Sequence, residues 1–270
     1  MAVLVDGPRP DSRNPSSDLL SQTTVLTRRL LVRSARNPMT VVHAVLLPVA
    51  FLLTLKVVFG DSITAITGEN ALYRSVPLVA LLATMSGATI GMVGINAERQ
   101  DGFLTRLWSL PIHRAAGLLA RLGAEAVRLL FTTLVILATG IALGFRFHNG
   151  VASAVLWVLI PVAFGLAFAS LVTAAALFWP KGIMVEAVQP VIILGATFCT
   201  GFVPVDLYPD WVQPMVRNQP MSPAADAMRG LAVGGPVLSP MIATAVWCVA
   251  MFAVTLLPII VGYRRASTSR

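Results

Sequence analysis

Residues Asn96–Arg121 read NAERQDGFLTRLWSLPIHRAAGLLAR and separate two long apolar segments of this chain. Charged side chains are costly to place in the hydrocarbon core of a bilayer. We therefore expect this polar stretch to lie outside the membrane, with the apolar segments on either side crossing it. Its apolar and charged residues recur at helical spacing, which favours an amphipathic element with a binding role.

Composition indicates a membrane protein over the whole chain. Of the 270 residues, 56% are hydrophobic and 12% are charged, and the mean hydropathy is +0.80. That charged share is about half of what soluble domains carry, so there is too little polar surface to cover a soluble core. The basic residues behind the net charge of +8 flank apolar segments. This placement favours contact with anionic membrane lipids rather than nucleic acid.

Six apolar stretches are each long enough to cross about 30 Å of hydrocarbon at about 1.5 Å per residue. They lie at Val41–Phe59, Val76–Ile95, Leu122–Phe145, Ala154–Trp179, Met184–Val203 and Val237–Tyr263. The predicted fold is therefore an all-α integral membrane protein with six transmembrane helices in one domain, residues 37–263. Residues 1–17 are polar and contain three prolines without an apolar signal-peptide core, which predicts a disordered cytosolic tail. Residues 264–270 form a basic tail.

Basic residues alternate between successive loops, which predicts the orientation of the chain. Basic groups dominate before span one, between spans two and three, between spans four and five, and after span six. The other three loops hold four arginines that acidic residues mostly offset. The positive-inside rule then places both termini in the cytosol, and the expected location is the plasma membrane.

Asp18–Arg36 is predicted to form an amphipathic helix that ends at Asn37-Pro38. One side carries Leu19, Leu20, Leu26, Leu30 and Leu31, and the other carries Arg28, Arg29, Arg33 and Arg36. A helix of this kind lies in the membrane interface with its arginines at the headgroups. An ordinary cytosolic helix is the alternative.

Within the polar stretch, Glu98–Leu107 is predicted to form a short helix, which Pro111 terminates before Arg114 leads into span three. Its apolar patch consists of Phe103, Leu104, Leu107 and Trp108, surrounded by Glu98, Arg99, Asp101 and Arg106. Such a helix could lie flat on the bilayer or dock on a soluble partner. Its mixed charge is less suited to membrane adhesion than an all-basic face.

We call Pro204–Gly235, between spans five and six, the outer element. Its candidate functional residues are Pro209, Trp211, Pro220, Asp226, Arg229 and Gly230. Ala224–Leu231 is predicted to be a short helix, and Trp211 suits the membrane interface. Because the segment is rich in apolar residues, we expect it to re-enter the outer leaflet. A structured cap without a role in transport is the alternative.

Charged residues at the start of span three and small residues within the spans are explained by helix pairing and packing. Arg121, Glu125 and Arg128 follow helical spacing at the start of span three, which predicts an ion-paired interfacial face, with a role in coupling as the alternative. Small residues recur at packing intervals at Gly87/Gly91, Gly140/Gly144 and Gly165/Ala169. They are typical of close helix contacts.

The polar stretch and the outer element together resemble permease subunits of the type-2 ABC exporter family. The family's coupling region matches at Glu98, Arg99, Gly102, Leu104, Leu107 and Pro111, whereas Gln100 and Thr105 stand where acidic residues are common. The outer element matches at Pro209, Trp211, Pro220 and Arg229–Leu231. The resemblance implies six spans, an N-terminal interfacial helix, a cytosolic coupling helix and an external re-entrant helical element.

Within that family the chain looks like a daunorubicin-resistance-type permease, the C-type subunit that accompanies a cell-wall-lipid exporter. The similarity lies in Thr105–Gly117, Leu143–Phe147, Gly234–Ile242 and Gly262–Thr268. It implies export of a large lipophilic molecule, such as phthiocerol dimycocerosate or an anthracycline. It also implies a second permease subunit, with a heterodimer favoured over a homodimer.

The chain has no Gly-Lys pair and hence no phosphate-binding loop of the G-x-x-x-x-G-K-[ST] type. For an ABC permease, ATP and magnesium would therefore bind a separate nucleotide-binding ATPase. We expect no catalytic residue, bound cofactor or metal in this chain. The alternatives are a secondary carrier or membrane scaffold, and a membrane-bound lipid-modifying enzyme. A proton-driven carrier would usually need buried carboxylates along its path, and a lipid-modifying enzyme would need converging catalytic groups. The sequence pattern indicates neither.

Overall fold

The computed structural model describes residues 15–100, 114–178 and 183–268, and in these ranges the backbone forms helices and turns without a strand. The helices are α1 (Pro15–Ala35), α2 (Pro38–Val41), α3 (Leu47–Thr67), α4 (Leu72–Gln100), α5 (Arg114–Ala142), α6 (Gly150–Phe178), α7 (Ile183–Thr197), α8 (Gln213–Asn218), α9 (Met221–Val233) and α10 (Leu238–Thr268). A π turn, Val42–Leu46, joins α2 to α3, and a 3₁₀ turn, Val205–Leu207, precedes α8. The predicted all-α class is confirmed.

Among the described residues, four helical stretches are long and apolar enough to cross a membrane. They are Pro38–Thr67, Leu119–Ala142, Gly150–Ala175 and Leu238–Thr255, and they overlap predicted spans one, three, four and six. The helix α4 has 29 residues, more than a span needs, and carries Arg74 and Ser75 in its first turn. The helix α7 has 15 residues, so it extends only about 22 Å. The chain is a multi-span helical membrane protein, and the count of six spans stays a prediction.

The first span is longer than predicted. Its helix continues past Phe59 to Thr67 and ends at Gly68, which has a φ of 69° and donates its N–H to the Thr64 carbonyl at 2.9 Å. Polar residues end the apolar run after Phe59 but do not interrupt backbone hydrogen bonding. Near its start, Pro48 has no N–H to donate to the Ala44 carbonyl. The backbone widens there into the π turn.

Two other predicted boundaries are wrong. Span five was expected at Met184–Val203, but α7 ends at Thr197 and turns follow. The predicted coupling helix was expected to begin at Glu98, but α4 runs without a break through Gln100. The end of α7 differs because hydropathy locates the membrane boundary, whereas hydrogen-bond partners determine where a helix ends.

The centre of the bundle is α4, which packs against α3, α5, α6, α7 and α9. Its side chains between Leu72 and Thr89 are buried with few exceptions. Val76, Leu78 and Leu81 belong to one core with Trp157 and Phe164 of α6, and each of these five is at most 1% exposed. A displacement of α4 would therefore disturb most of the bundle.

Small residues let the helices around α4 approach closely. A Cβ on Gly165 of α6 would lie 2.8 Å from Thr84 Cβ and 3.0 Å from Leu129 Cδ1. A Cβ on Gly140 of α5 would lie 3.0 Å from Val76 Cγ2. Gly144, predicted to share a packing stripe with Gly140, instead lies in the turn after α5 with a φ of 111°.

We expect Gly165→Ala to lower the free energy of unfolding by about 1–3 kcal/mol, because the added methyl group overfills a closed contact. Thermal unfolding of the purified chain in detergent measures the effect. Gly195→Ala on α7 is the matched control, since a Cβ there has no atom within 4 Å. Equal melting temperatures for the two variants would contradict the packing assignment.

Candidate functional site

The polar stretch connects two packed helices. Glu98 and Arg99 lie in the last turn of α4, and Arg114 is the first residue of α5. The helices α4 and α5 contact each other. The remaining predicted coupling residues lie outside the described residues: Asp101, Gly102, Phe103, Leu104, Arg106, Leu107, Trp108 and Pro111. The structure thus shows the two helices that flank the polar stretch, α4 and α5. The docking role of its residues stays a prediction.

The N-terminal helix α1 packs on α5 near the same end of the bundle. Thr27 Oγ1 donates to the Ala120 carbonyl at 3.3 Å, and a Cβ on Gly123 would lie 3.4 Å from that hydroxyl. The four arginines predicted to face the headgroups are exposed: Arg28, Arg29, Arg33 and Arg36. Of the leucines assigned to the apolar side, Leu20 is 68% exposed and the others are half-buried. The position of α1 at a membrane surface stays a prediction.

In the outer element, side-chain donors hold the end of α7. A helix that ends leaves its last carbonyls without intrahelical donors. Tyr208 Oη donates to the Thr197 carbonyl at 3.0 Å, and Gln219 Nε2 donates to the Phe198 carbonyl. Both donors belong to the outer element. Their hydrogen bonds explain why the helix can stop at Thr197 despite the apolar sequence that follows.

Thr200, three residues beyond α7, is bonded to two other elements. Its N–H donates to Ser222 Oγ at 3.2 Å, and its hydroxyl donates to the Ser222 carbonyl at 3.2 Å. Arg74 Nη1, from the start of α4, donates to the Thr200 carbonyl at 3.1 Å. Thr200, Ser222 and Arg74 are all buried. The end of α7, the start of α9 and the start of α4 are thereby held together.

Three further charged residues, Glu69, Asp226 and Arg229, lie near Arg74 of this contact. Arg229 Nη1 of α9 lies 3.1 Å from each carboxylate oxygen of Glu69, in the turn between α3 and α4. The Nε atoms of Arg74 and Arg229 are buried without a hydrogen-bond partner in the described part of the chain. Burial raises the pKa of the Asp226 carboxyl, and the nearby polar Thr200 side chain and the charges of Arg229 and Arg74 partly oppose that shift.

The predicted short helix in the outer element is present and longer than expected. It was predicted at Ala224–Leu231, whereas α9 spans Met221–Val233 and packs against α4, α6 and α10. A Cβ on Gly230 would lie 3.2 Å from Val237 Cγ2, so this predicted residue permits close packing. Asn149 Nδ2, from the α5–α6 turn, donates to the Gly230 carbonyl at 3.2 Å. The depth of α9 in a bilayer stays a prediction.

The other predicted residues of the outer element lie at its edges. Trp211 is 84% exposed and Pro209 is exposed beside it. Pro220 directly precedes α9 and is half-buried. These two exposed residues take no part in the contact among Arg74, Thr200 and Ser222, so the candidate residues form two separate groups.

Sequence reasoning missed the partners that assemble this contact. In the sequence, Glu69 and Arg74 stand only among the loop charges that mostly offset one another, and nothing marks Ser222. An arginine at the entry to an apolar helix was the available signal. Pairing it correctly requires the tertiary structure, because Arg74 and Thr200 are 126 positions apart. In the described ranges, no three His, Cys, Asp or Glu residues lie close enough to hold a metal ion.

The ABC-2 type transporter family matches residues 21–233, a range that runs from α1 to the end of α9. The chain belongs to this family. It is similar to the probable doxorubicin resistance ABC transporter permease protein DrrC of Mycobacterium tuberculosis strain H37Rv, with 46% identity over 259 residues, 96% of this chain and 94% of the relative. The resemblance inferred from the polar stretch and the outer element is confirmed at the level of the family and of this kind of permease.

Two further relatives are resistance permeases. The daunorubicin resistance ABC transporter permease protein DrrB1 of Streptomyces coeruleorubidus is 26% identical over 233 residues, 86% of this chain and 81% of the relative. The doxorubicin resistance ABC transporter permease protein DrrB of M. tuberculosis strain H37Rv is 33% identical over 178 residues, 61% of this chain and 60% of the relative. The chain is therefore a transmembrane permease subunit of an ABC exporter.

We expect Ser222→Ala to lower the free energy of unfolding by about 1–3 kcal/mol, because the buried Thr200 N–H loses its acceptor. Thermal unfolding in detergent measures the change. Ser153→Ala is the matched control, since the Ser153 hydroxyl donates to the Asn149 carbonyl in an exposed first turn of α6. A Ser222→Ala variant as stable as Ser153→Ala would show that the contact does not hold α7.

The raised pKa of Asp226 predicts a pH-dependent stability. Folding favours the protonated carboxyl, so this contribution is present below the ordinary aspartate pKa of about 3.9 and is lost as pH rises through the raised pKa. Relative to Asp226→Asn, the native chain should lose melting temperature as pH increases from about 4 to neutral. A melting-temperature difference that is constant over this range, or that changes in the opposite direction, would contradict the assignment.

Proposed function

We propose that this permease exports a lipophilic molecule with energy from ATP hydrolysed on separate nucleotide-binding subunits. The observation that carries the proposal is the family membership of a chain that has no phosphate-binding loop of its own. Within an ABC system, such a chain needs an ATPase partner. It also needs a surface on which that ATPase docks and through which the conformational change of the ATPase is transmitted. ATP and magnesium would bind that partner, and this chain would bind neither.

The polar stretch is our candidate for that surface. It joins the end of α4 to the start of α5, and α4 packs against five other helices. An ATPase that moved this stretch would therefore move the helix with the widest contacts in the bundle. The apolar patch around Leu104 and Leu107 would enter a groove of the ATPase, while Glu98, Arg99 and Arg106 would meet polar groups at its rim.

The cargo is proposed to be hydrophobic, either a cell-envelope lipid or a hydrophobic drug. The named relatives are doxorubicin and daunorubicin resistance permeases, which supports an antibiotic-resistance role. Segments of the polar stretch and the C-terminal region favour a lipid cargo through their resemblance to a cell-wall-lipid system. We place the path between this chain and a second permease, lined by spans one, two and five. The names DrrB and DrrC suggest such a pair, and a heterodimer is favoured.

The orientation proposed from the basic loops completes the arrangement. Both termini and the polar stretch would face the cytosol in the plasma membrane, and the outer element would face the exterior. A lipophilic cargo would then leave the inner leaflet or the cytosol on the side of the ATPase. The buried contact between α7 and α9 would lie at the opposite, exit side.

We expect Leu107→Arg and Gly102→Pro to uncouple the permease from its ATPase. Arginine places a charge in the apolar patch, and proline inside a helix costs about 3 kcal/mol. After co-expression with its ATPase and its sister permease, each variant should insert normally and retain the sister permease. Capture of the ATPase, and export of doxorubicin from intact cells, should fall at least about tenfold, which corresponds to about 1.4 kcal/mol of lost coupling.

Val151→Arg is the matched control, because it adds the same charge at a residue that is 81% exposed in the first turn of α6. It should retain ATPase capture and export. Normal capture and export with Leu107→Arg would overturn the docking role. Isolation of the native chain as a transporter that works without an ATPase would overturn the whole proposal.

A further inference from the structure

An ion pair lies inside the helix α5 that follows the polar stretch. Arg128 Nε donates to Glu125 Oε2 at 3.1 Å, and Arg128 Nη2 contacts Glu125 Oε1. The two side chains are 12% and 15% exposed. They lie within the apolar stretch Leu119–Ala142, about 9–14 Å along the helix axis from Leu119. The predicted ion pairing is present between Glu125 and Arg128, and the structure encloses the pair against α4. Its position at the membrane interface stays a prediction.

Two glycines of α4 make room for this pair. A Cβ on Gly87 would lie 2.6 Å from Arg128 Nη1 and 3.0 Å from Arg128 Cζ. A Cβ on Gly91, one turn further along α4, would lie 3.7 Å from Glu125 Oε2. The guanidinium and the carboxylate therefore rest against the α4 backbone at successive turns. The glycine spacing of four and the ion-pair spacing of three are both helical repeats along one face.

This arrangement restricts how α4 and α5 move relative to one another. Ser86 and Ala88 flank Gly87, and each carries a Cβ. Sliding or rotating α4 by one residue would bring one of them against the guanidinium. Separating the helices would expose two charges to an apolar surrounding, where an uncompensated charge is costly. The contact is therefore specific in register as well as close.

We propose that Glu125, Arg128 and Gly87 are positioning residues for energy coupling. Their contact joins α4 and α5 into one unit, so that a displacement of the polar stretch reaches the core instead of being absorbed by slippage between the two helices. This inference rests on the proposed function, in which the ATPase acts on residues 98–107. It concerns how the movement is transmitted and does not depend on the identity of the cargo.

The contact at the other end of the same helix pair differs in kind. There Gly140 of α5 meets Val76 of α4, and both partners are apolar. Apolar packing holds helices together in lipid, but it tolerates small shifts better than a seated ion pair. The glycine–ion contact is also the nearer of the two to the polar stretch along both α4 and α5. A displacement of the polar stretch would therefore reach the glycine–ion contact before it reaches the contact between Gly140 and Val76.

The test measures doxorubicin exported per ATP hydrolysed, using the full complex of this chain, its ATPase and its sister permease in vesicles. Gly87→Ala displaces the guanidinium, which is the mobile end of a long side chain, and leaves the backbone contact intact. We expect normal assembly and ATP hydrolysis, with export per ATP reduced about fivefold or more, the lower range of measured couplings between sites. Glu125→Gln should likewise retain normal ATP hydrolysis while export per ATP falls.

A charge exchange distinguishes coupling from folding. The double variant Glu125→Arg with Arg128→Glu restores one positive and one negative charge at the same spacing. It should export more per ATP than Glu125→Gln alone. If it exports no more than the single variant, the ion pair has no positioning role.

Two further variants serve as controls. Gly140→Ala disturbs apolar packing between the same two helices, and Ser153→Ala removes a hydroxyl from the exposed first turn of α6, outside the proposed cargo path. Both should keep the native ratio of export to ATP hydrolysis. If Gly140→Ala lowers that ratio as much as Gly87→Ala does, general packing explains the effect and the proposal fails.

The Leu107→Arg variant separates this proposal from the one on which it rests. If Leu107→Arg uncouples the complex while Gly87→Ala and Glu125→Gln keep the native ratio, the positioning role is overturned and the docking role stands. If Leu107→Arg retains ATPase capture and export, the docking role fails, and the positioning role fails with it.

Discussion

In apolar surroundings no water is available to bond a backbone carbonyl or a charge, so each must find a partner within the protein. The structure depends on this constraint. The end of α7 meets it through donors from the outer element and through Arg74. The end of α5 meets it through Lys56 Nζ, which donates to the Leu143 carbonyl at 2.8 Å, and through Arg146 Nη1, which donates to the Ile141 carbonyl at 2.7 Å. Cations at helix C-termini also oppose the helix dipole favourably. Each such bond joins a helix end to a neighbouring turn or helix.

The same constraint explains why α4 is central. Near its start, Arg74 bonds the residue that follows α7, and further along, its glycines receive the Glu125–Arg128 pair of α5. Between these polar contacts, apolar side chains pack around α4. Such packing does not by itself fix the position of α4 along and around its axis relative to the neighbouring helices. Two polar contacts far apart on one helix therefore align it with its neighbours. In the proposed function, a displacement of one end of this aligned helix by the ATPase would therefore reach its other end.

Sequence reasoning predicted the helical class, the approximate positions of the long apolar helices, the helix within the outer element and the family. It misplaced the ends of α3 and α7, since polarity marks a membrane boundary and not the last hydrogen bond of a helix. It also noted Gly87/Gly91 and Glu125/Arg128 separately. Nothing in their spacing indicated that they face one another, because α4 and α5 are joined by a stretch whose length alone does not determine their register.

By itself, then, the sequence determined which segments are apolar, which are polar, and that the chain has no phosphate-binding loop of the G-x-x-x-x-G-K-[ST] type. Hydropathy, charge and the missing phosphate-binding loop depend only on which residues are present and on their order along the chain. They can therefore be determined without a folded structure. Only the tertiary structure decided which donor satisfies which carbonyl and which glycine accepts which charge. Those pairings join residues such as Glu69 and Arg229, 160 positions apart, and they exist only when helices from distant parts of the chain are packed together.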